Sequence, residues 1–214
     1  GCLLSQKEEG LFADVTAETN LAVICGQYTG WGSGLIDFDN DGYLDVFVAN
    51  GNAHHLYTEE DVLAHNDGTG HYLDVAKNAG SYFESKSVGR GAAFADLDND
   101  GDLDILVANL GESPKLLRND TENGNHWLTV VPLLSDSETV AIGATVTVTV
   151  GQRRSIHPVH AVFGYLSTSD PRPHFGLGTA EVADRIEIVW PDGEQQVLES
   201  VPANQILEVV QGAK

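Results

Sequence analysis

The chain has 214 residues, enough for one large domain or two small ones with a buried core. Its 32 acidic residues outweigh 11 basic ones, and the formal net charge of −21 argues against nucleic acid and anionic membrane surfaces as partners. No apolar run approaches the roughly 18–20 residues that a membrane-spanning helix needs. These properties indicate a folded, strongly acidic protein without a predicted membrane span.

Residues 1–11 are expected to form an N-terminal tail or an incoming segment. They include Cys2, and the only other cysteine is Cys25. A disulfide between the two would close a modest loop and tie down the N-terminus. The sequence leaves open whether that bond forms.

An acidic nonapeptide occurs twice in the first half of the chain. Residues 37–45 read DFDNDGYLD, and residues 96–104 read DLDNDGDLD. Carboxylates at alternate positions of a tight loop converge on one point, and they repel one another unless a cation lies between them. An all-oxygen site suits a hard divalent ion, and the size and looseness of this one favour Ca²⁺ over Mg²⁺. The two loops therefore predict two calcium sites.

The pattern matches only the start of an EF-hand loop. Aspartates stand at the first, third, fifth and ninth positions, but the twelfth position, which is a bidentate Glu in an EF-hand, is Val48 or Val107. The residues after each loop are β-branched and aromatic, which is typical of a strand. Each loop is thus predicted to join two strands. Asp, Asn and Gly also mark plain hairpin turns, but two copies in register disfavour that interpretation.

The loops belong to a longer internal repeat. The first residues of the loops, Asp37 and Asp96, are 59 residues apart (96 minus 37). The other segments that recur are 12–16 as 72–76, and the glycine-rich 30–34 as 89–93. A unit of this length built from several short strands is about the size of a four-stranded propeller blade. Residues 12–71 and 72–123 are therefore assigned to two blade-like repeats.

The segment between the loops carries two further signals. Residues 58–65 could form a short surface helix. His54, His55, His65 and His71 are close together in sequence and could suggest a transition-metal site. Their spacing matches no recognised ligand pattern, so a solvated polar loop is the better interpretation.

From residue 124 onward the sequence changes to alternating strands. Strands are expected at 126–131, 143–150, 185–190, 196–198 and 206–210. Short strands at this density predict an antiparallel β-sandwich or barrel over 124–214. The segment 164–178, rich in glycine and proline, is either a binding loop that offers Tyr165, Arg172 and His174 or a structural corner, and we favour the corner.

These motifs resemble a known family. The two loops, each preceded by a glycine-rich strand and followed by V-A-N, resemble the FG-GAP/VCBS calcium repeat of integrin-like propellers. The second half resembles an ASPIC/UnbV domain in segments 125–128, 142–146, 164–167, 174–178 and 189–193. The order of the two parts is similar to that in the secreted cartilage acidic proteins and their bacterial relatives.

The resemblance implies an all-β fold, with two propeller-blade-like repeats followed by an antiparallel β-sandwich or barrel. It implies two bound Ca²⁺ ions, with backbone carbonyls from Tyr43 and Asp102 beside the carboxylates. The side-chain ligands would be Asp37, Asp39, Asp41, Asp45, Asp96, Asp98, Asp100 and Asp104. Two blades cannot close a propeller of about seven, so the chain is a fragment, associates with other chains, or covers an open blade face with its C-terminal domain.

The functional expectation is a calcium-binding interaction module rather than an enzyme. No G-x-S-x-G, H-E-x-x-H or P-loop motif is present. Because extracellular calcium saturates even weak sites of this kind, the module is expected to be secreted or at the cell surface, or periplasmic in a bacterium. Its partner would be a protein or a glycan, or a second copy covering an open blade face.

The alternative is a hydrolase or lyase acting on a polysaccharide, with calcium as a structural scaffold. Its site would be a pocket between the two parts of the chain. Its candidate residues, all in the second half, are His157, His160, Tyr165, Arg172 and His174.

Overall fold

The computed structural model describes residues 3–8, 10–54, 57–135, 138–160 and 162–213. Its regular structure is almost entirely β, which confirms the predicted all-β class. The exceptions are a short helix α1 (Leu21–Cys25) and two 3₁₀ turns, Ala76–Asn78 and Ser81–Glu84. Among the described residues, no helix has the length and apolar character to cross a membrane. Cys2, half of the disulfide that the sequence leaves open, lies outside the described residues.

The N-terminal segment, expected to be a tail or an incoming segment, forms one strand of a hairpin. Strand β1 (Leu4–Glu8) pairs antiparallel with β2 (Leu11–Asp14). Its base is tied by two hydrogen bonds, from the Leu3 amide to Thr16 Oγ1 (2.8 Å) and from the Val15 amide to the Leu3 carbonyl (2.9 Å). The polar run S-Q-K-E in β1 lacks the alternation that would have indicated a half-buried strand.

The first blade is a four-stranded antiparallel sheet in sequential order. It consists of β3 (Gly30–Ile36), β4 (Asp45–Asn50), β5 (Val62–Asn66) and β6 (Tyr72–Asp74). Strand β5 replaces the helix suggested for residues 58–65. Val62, Leu63 and Ala64 are all buried because the strand is covered on both faces, so no alternating pattern marks it in the sequence.

The second blade has three described strands, β7 (Gly89–Ala95), β8 (Asp104–Asn109) and β9 (Lys115–Leu117). The blades pack face to face around Phe47, whose ring meets Phe94 edge-on at 6.0 Å between centroids. The backbone of Gly32 approaches Ala92 so closely that a Cβ would not fit. Small residues in the strands before the acidic loops therefore allow the sheets to approach.

The C-terminal part is a sandwich of two sheets around one core. A four-stranded antiparallel sheet has the order β12-β11-β16-β17, and a three-stranded sheet has the order β15-β10-β18. Its strands are β10 (His126–Leu133), β11 (Thr145–Val150), β12 (Arg153–Pro158), β13 (Val162–Gly164), β14 (Ser167–Thr168), β15 (His174–Gly178), β16 (Val182–Val189), β17 (Gln195–Pro202) and β18 (Gln205–Val210). Strands β13 and β14 form a separate hairpin. Leu128 and Val130 from one sheet meet Val146, Ile186 and Ile188 from the other, all fully buried.

One strand pair departs from the antiparallel expectation, because β10 and β18 run parallel. The chain reaches β18 by turning at residues 203–204 directly from β17, so the turn carries it from one sheet to the other instead of closing a hairpin. Asn204, with φ 57°, holds this turn: its amide donates to the Trp127 carbonyl at 2.7 Å.

Candidate metal centre

The two acidic loops have the same backbone geometry. The first joins β3 to β4 and the second joins β7 to β8. Asn40 and Asn99 have φ of 59° and 58°, and the glycines two residues later, Gly42 and Gly101, have φ of 91° and 98°. Glycine adopts such angles without the clash that a Cβ would cause, and Asn tolerates the left-handed region. Each loop therefore curls tightly around its own aspartates.

The first aspartate of each loop is held by the glycine amide. Gly42 N donates to Asp37 Oδ2 at 2.9 Å, and Gly101 N donates to Asp96 Oδ2 at 3.0 Å. These matched bonds orient each carboxylate toward the interior of its loop.

The ninth aspartates are held by backbone amides on both oxygens. Asp45 accepts from Phe38 N at 3.2 Å and from Asn66 N at 2.7 Å. Asp104 likewise accepts from Leu97 N at 3.2 Å and from Asn119 N at 2.8 Å. Each ninth aspartate thus closes its loop and ties it to the strand or segment beyond.

The structure brings most of the predicted carboxylates together in groups whose ligand atoms lie within 4.8 Å of one another. Within the described residues these groups are Asp37 with Asp39 and Asp45, Asp39 with Asp41 and His65, and Asp96 with Asp98 and Asp100. Asp104 belongs to none of these three groups. The backbone carbonyls of Tyr43 and Asp102 remain predicted ligands.

Asp37 shows that the first loop fits a cation. The residue is 4% exposed, and Asp37 Oδ1 is a buried oxygen to which no described group donates. Burial, and then the neighbouring Asp41, Asp45 and Asp39, raise the pKa of Asp37 to about 8. A buried anionic oxygen without a donor is costly, and a hard divalent ion placed among these carboxylates would remove that cost.

The second loop is more open than the first. Asp96 is buried, and burial raises its pKa, but Asp98 and Asp100 are exposed. Asp102 points away to its neighbour loop, where Asp102 Oδ1 accepts from Asn40 Nδ2 at 2.9 Å, and burial raises its pKa to about 6. We therefore expect the second loop to bind a cation more weakly than the first.

The C-terminal domain holds the first loop through Arg153. Its guanidinium donates to the Asp41 carbonyl at 2.6 Å and to the Gly176 carbonyl at 3.2 Å, and it lies 5.5 Å from the centroid of the Tyr43 ring. The backbone of Gly176 lies against Asp37, where a Cβ would collide with the carboxylate. The β-sandwich thus covers the first loop directly.

A second arginine holds the second loop. Arg172 forms an ion pair with Asp170 at 2.6 Å and donates to Asn99 Oδ1 at 3.0 Å and to the Asp96 carbonyl at 3.2 Å. On the other side of this loop, the Trp127 ring fills the space that a Cβ of Gly101 would need. Both loops are therefore inside an interface between the blades and the sandwich.

Asn40 links the two loops and the sandwich at one point. Asn40 Nδ2 donates to the Gly101 carbonyl at 3.0 Å, and Asn40 Oδ1 lies 2.7 Å from His174 Nε2. Since Oδ1 can only accept, His174 Nε2 carries the proton, and the Thr129 hydroxyl donates to His174 Nδ1 at 3.0 Å. Burial lowers the pKa of His174 to about 3, so the ring is neutral.

The segment between the second blade and the sandwich also holds the first loop. Asn119 Nδ2 donates to the Phe38 carbonyl, and the side-chain amides of Asn123 and Asn125 both donate to the Asp39 carbonyl. These asparagine side chains therefore tie the segment to the backbone of the loop.

The residues considered for catalysis do not share one pocket among the described residues. His157, Arg172 and His174 line a cavity of about 80 Å³ together with Asp37 and Asp96, beside the loops. Tyr165 instead contacts the Trp31 ring at a tilted angle, with 5.1 Å between ring centroids. Arg172 and His174 are engaged in contacts with the loops, which accords with the structural-corner interpretation of 164–178.

Sequence reasoning missed His65 and Arg153. His65 was discounted because its spacing from other histidines fits no ligand pattern, but pairing of β5 with β4 returns it to the first loop, where its Nδ1 lies 3.2 Å from Asp45 Oδ1. Nothing in the sequence marks Arg153. Its role depends on how the two domains dock.

Comparisons with known proteins agree with this architecture. A model described as FG-GAP-like repeat matches residues 37–107, and one described as FG-GAP repeat matches residues 88–128. A model described as ASPIC and UnbV matches residues 134–214. The chain therefore belongs to the FG-GAP repeat proteins that carry an ASPIC and UnbV domain, which confirms the resemblance drawn from its motifs.

The chain is homologous to cartilage acidic protein 1 over most of its length. It is 31% identical to the protein of that name from Mus musculus and 30% identical to the one from Homo sapiens, over 185 residues in both cases. Each alignment covers 81% of this chain, but 28% of the mouse protein and 27% of the human one. The chain thus spans little more than a quarter of the length of these relatives.

Proposed function

We propose that this chain is a calcium-binding interaction module in which two ions hold the acidic loops in shape for docking of the β-sandwich. The observation that carries this proposal is Asp37 Oδ1, a buried oxygen without a described donor, inside a group of converging carboxylates. Bound Ca²⁺ would supply the positive charge that the carboxylates lack and would leave the loop carbonyls facing Arg153 and Arg172.

The residues that would hold the ions are those predicted from the sequence. The first site would use Asp37, Asp39, Asp41 and Asp45 with the Tyr43 carbonyl, and the second Asp96, Asp98, Asp100 and Asp104 with the Asp102 carbonyl. In the second site Asp104 lies outside the group of converging carboxylates, whereas Asp45 belongs to such a group in the first site. This is a further reason to expect weaker binding there.

A secreted or cell-surface location, or the periplasm in a bacterium, fits these sites. Calcium at the concentrations found outside cells would saturate even weak sites of this kind. The name of the relatives refers to cartilage, a tissue rich in extracellular matrix, which supports the same location.

The partner that the surface fits best is a protein. Leu106, Leu110 and Leu116 are 45%, 50% and 57% exposed, and Leu106 lies opposite Leu116 in the β8–β9 register. They make the outward face of the second blade an aliphatic surface, which favours a packed protein contact over a glycan, for which planar aromatic faces are more typical. The occupant would be another protein or a second copy of this chain.

The test of the calcium sites is thermal unfolding with and without calcium. We expect chelation by EDTA to lower Tm by at least several degrees, because about 1–2 kcal/mol shifts Tm by that amount in a domain of this size. Excess Ca²⁺ should restore the original Tm, while Mg²⁺ should restore it less. Asp37→Asn should abolish most of the calcium effect, and Glu194→Gln, an exposed acid far from both loops in sequence, should preserve it. Identical melting curves in EDTA and Ca²⁺ would contradict the proposal.

A further inference from the structure

The two loops differ at one equivalent position. The ninth aspartate of each loop accepts from an asparagine amide, Asn66 N to Asp45 and Asn119 N to Asp104. The residue before that asparagine is His65 at the first loop and Arg118 at the second. The structure therefore places an imidazole beside one metal centre and a guanidinium beside the other.

His65 is positioned as an inner neighbour of the first loop. His65 Nδ1 lies 3.2 Å from Asp45 Oδ1 and 3.5 Å from Asp39 Oδ2. Its ring contacts the Phe38 ring edge-on at 6.0 Å between centroids, and its side chain is 24% exposed. Arg118 instead lies 3.9 Å from Asp98 Oδ2, the equivalent of Asp39 Oδ2, and its other nitrogen pairs with Asp120 in solvent.

The distances from His65 Nδ1 fit two ligands of one transition-metal ion. Nitrogen and oxygen ligands at about 2.0–2.2 Å from Zn²⁺ lie about 3.0–3.6 Å from each other. The oxygens of Asp39 and Asp41 and a nitrogen of His65 all lie within 4.8 Å of one another. Asp37 Oδ1, buried and without a described donor, belongs to the adjoining group that shares Asp39. This unpartnered oxygen indicates a cation independently of the cluster of acids.

Resting on the proposed function, we propose that the first loop accepts a divalent transition-metal ion of the Zn²⁺ class through His65, whereas the second loop is selective for Ca²⁺. Imidazole nitrogen is a good ligand for Zn²⁺ and its neighbours and a poor one for Ca²⁺, which prefers oxygen. At the second loop the guanidinium of Arg118 is always positively charged, so it cannot ligate a metal and it repels any cation beyond a bound Ca²⁺. The imidazole nitrogen of His65 thus gives the first loop a different metal preference from the second, although the two loop sequences are alike.

The alternative is that His65 is only a counter-ion that occupies the place of a metal among the carboxylates. The two roles differ in their response to Zn²⁺. A ligand is required for tight Zn²⁺ binding, whereas a counter-ion competes with every cation, so its removal would strengthen Zn²⁺ and Ca²⁺ binding alike.

The experiment is calorimetric titration of the full chain with Zn²⁺ alone and with Ca²⁺ alone, before and after His65→Ala. We expect the substitution to weaken Zn²⁺ binding at least about tenfold, as loss of metal-site support commonly does. Ca²⁺ affinity should change by less than about threefold, since Ca²⁺ binds through oxygen. Arg118→Ala is the matched control at the second loop and should leave Zn²⁺ binding at the first loop unchanged.

A variant that gains a Zn²⁺ site tests the inference even if replacing His65 destabilises the protein. Arg118→His places an imidazole at the second loop and should add a second Zn²⁺ equivalent. Co²⁺ substituted for Zn²⁺ should show an absorption band that changes when His65 is replaced, which reports ligation by nitrogen directly. Unchanged Zn²⁺ affinity in His65→Ala, with no added equivalent in Arg118→His, would overturn this inference and leave the calcium proposal intact. Absence of both Ca²⁺ and Zn²⁺ binding in the unaltered chain would overturn both.

Discussion

Asn40 Oδ1 accepts a 2.7 Å hydrogen bond from His174 Nε2, and this buried contact joins the first acidic loop to strand β15 of the sandwich. The same asparagine donates to the Gly101 carbonyl in the second loop. A residue that lies between two predicted calcium ligands is therefore also the link between the domains. Loop geometry and domain docking are coupled through it.

Removing the His174 imidazole should destabilise the protein strongly. His174→Ala leaves Asn40 Oδ1 buried without its donor and opens a cavity, which together cost roughly 3 kcal/mol. Urea unfolding followed by fluorescence would measure the free energy of unfolding. His71→Ala, an exposed histidine, is the control and should change it by less than about 0.5 kcal/mol. A loss as small as that of the control would show that the contact contributes little.

Two histidines with lowered pKa values, the buried His174 and the half-buried His157, should make the protein sensitive to acid. Burial lowers the pKa of His174 to about 3 and that of His157 to about 4, from an ordinary 6.5. Below pH 6.5 the unfolded chain binds protons at these two histidines that the folded chain excludes. The free energy of unfolding is therefore unaffected by them above pH 6.5 and decreases as the pH falls toward 4. At about pH 5 each histidine should cost roughly 2 kcal/mol.

The histidine contribution can be separated from that of the carboxylates by comparing variants. His157→Phe keeps an aromatic ring against Phe175, which His157 contacts at 4.6 Å between centroids. The difference in unfolding free energy between about pH 7 and about pH 5, measured in excess Ca²⁺, should shrink by roughly 2 kcal/mol in this variant. An equal difference in both proteins would show that His157 does not titrate in this window.

A single methyl group should disrupt the interface over the first loop. In Gly176→Ala the new Cβ meets the Asp37 carboxylate and the Asn40 backbone, neither of which can move without opening the loop. We expect a loss of at least about 2 kcal/mol in stability and at least about tenfold weaker Ca²⁺ binding. Gly193→Ala is the control for an added methyl group, because no atom lies within 4 Å of its Cβ, although its φ of 89° adds a backbone strain that Gly176 lacks. Calcium titration of both variants gives the comparison, and equal affinities would argue against coverage of the loop by the sandwich.

Adjacent arginines offer a matched test of loop support. Arg153 donates to the Asp41 carbonyl, while Arg154 points away to Glu187 at 3.6 Å in an exposed ion pair. Arg153→Ala should weaken calcium binding several-fold and lower Tm, and Arg154→Ala should do neither, since exposed ion pairs contribute about 0–1 kcal/mol. Calorimetric titration with Ca²⁺ measures both variants. If they behave alike, Arg153 does not support the loop.

The exposed leucines of the second blade should determine association. Leu106→Ser with Leu116→Ser removes aliphatic surface that is already partly exposed, so stability should change little. If a second copy covers this face, the unaltered chain will sediment as a dimer in Ca²⁺ and the double variant as a monomer. If the unaltered chain and the double variant are both monomers, the occupant of this face is another protein. Pull-down experiments with the unaltered chain and with the double variant would then test for that protein.

The sequence predicted the centre of each loop better than its surroundings. Alternating aspartates around a glycine have a strong local signature, because the backbone geometry and the chemistry arise within nine residues. His65 and Arg153 reach the first loop only through strand pairing and domain docking, which leave no local pattern. Strands β1 and β5 were missed for a related reason: β1 is polar after Leu4 and β5 is buried on both faces, so neither alternates.

The cover over the first loop has a kinetic consequence. Asp45 is fully buried, Asp37 nearly so, and the backbone of Gly176 lies against Asp37. An ion among these carboxylates has little direct access to solvent, so its dwell time would be governed by how often the sandwich lifts from the blades. The second loop, with two aspartates in water, would exchange its ion without waiting for that motion, and stopped-flow chelation should then resolve a fast phase and a slow one.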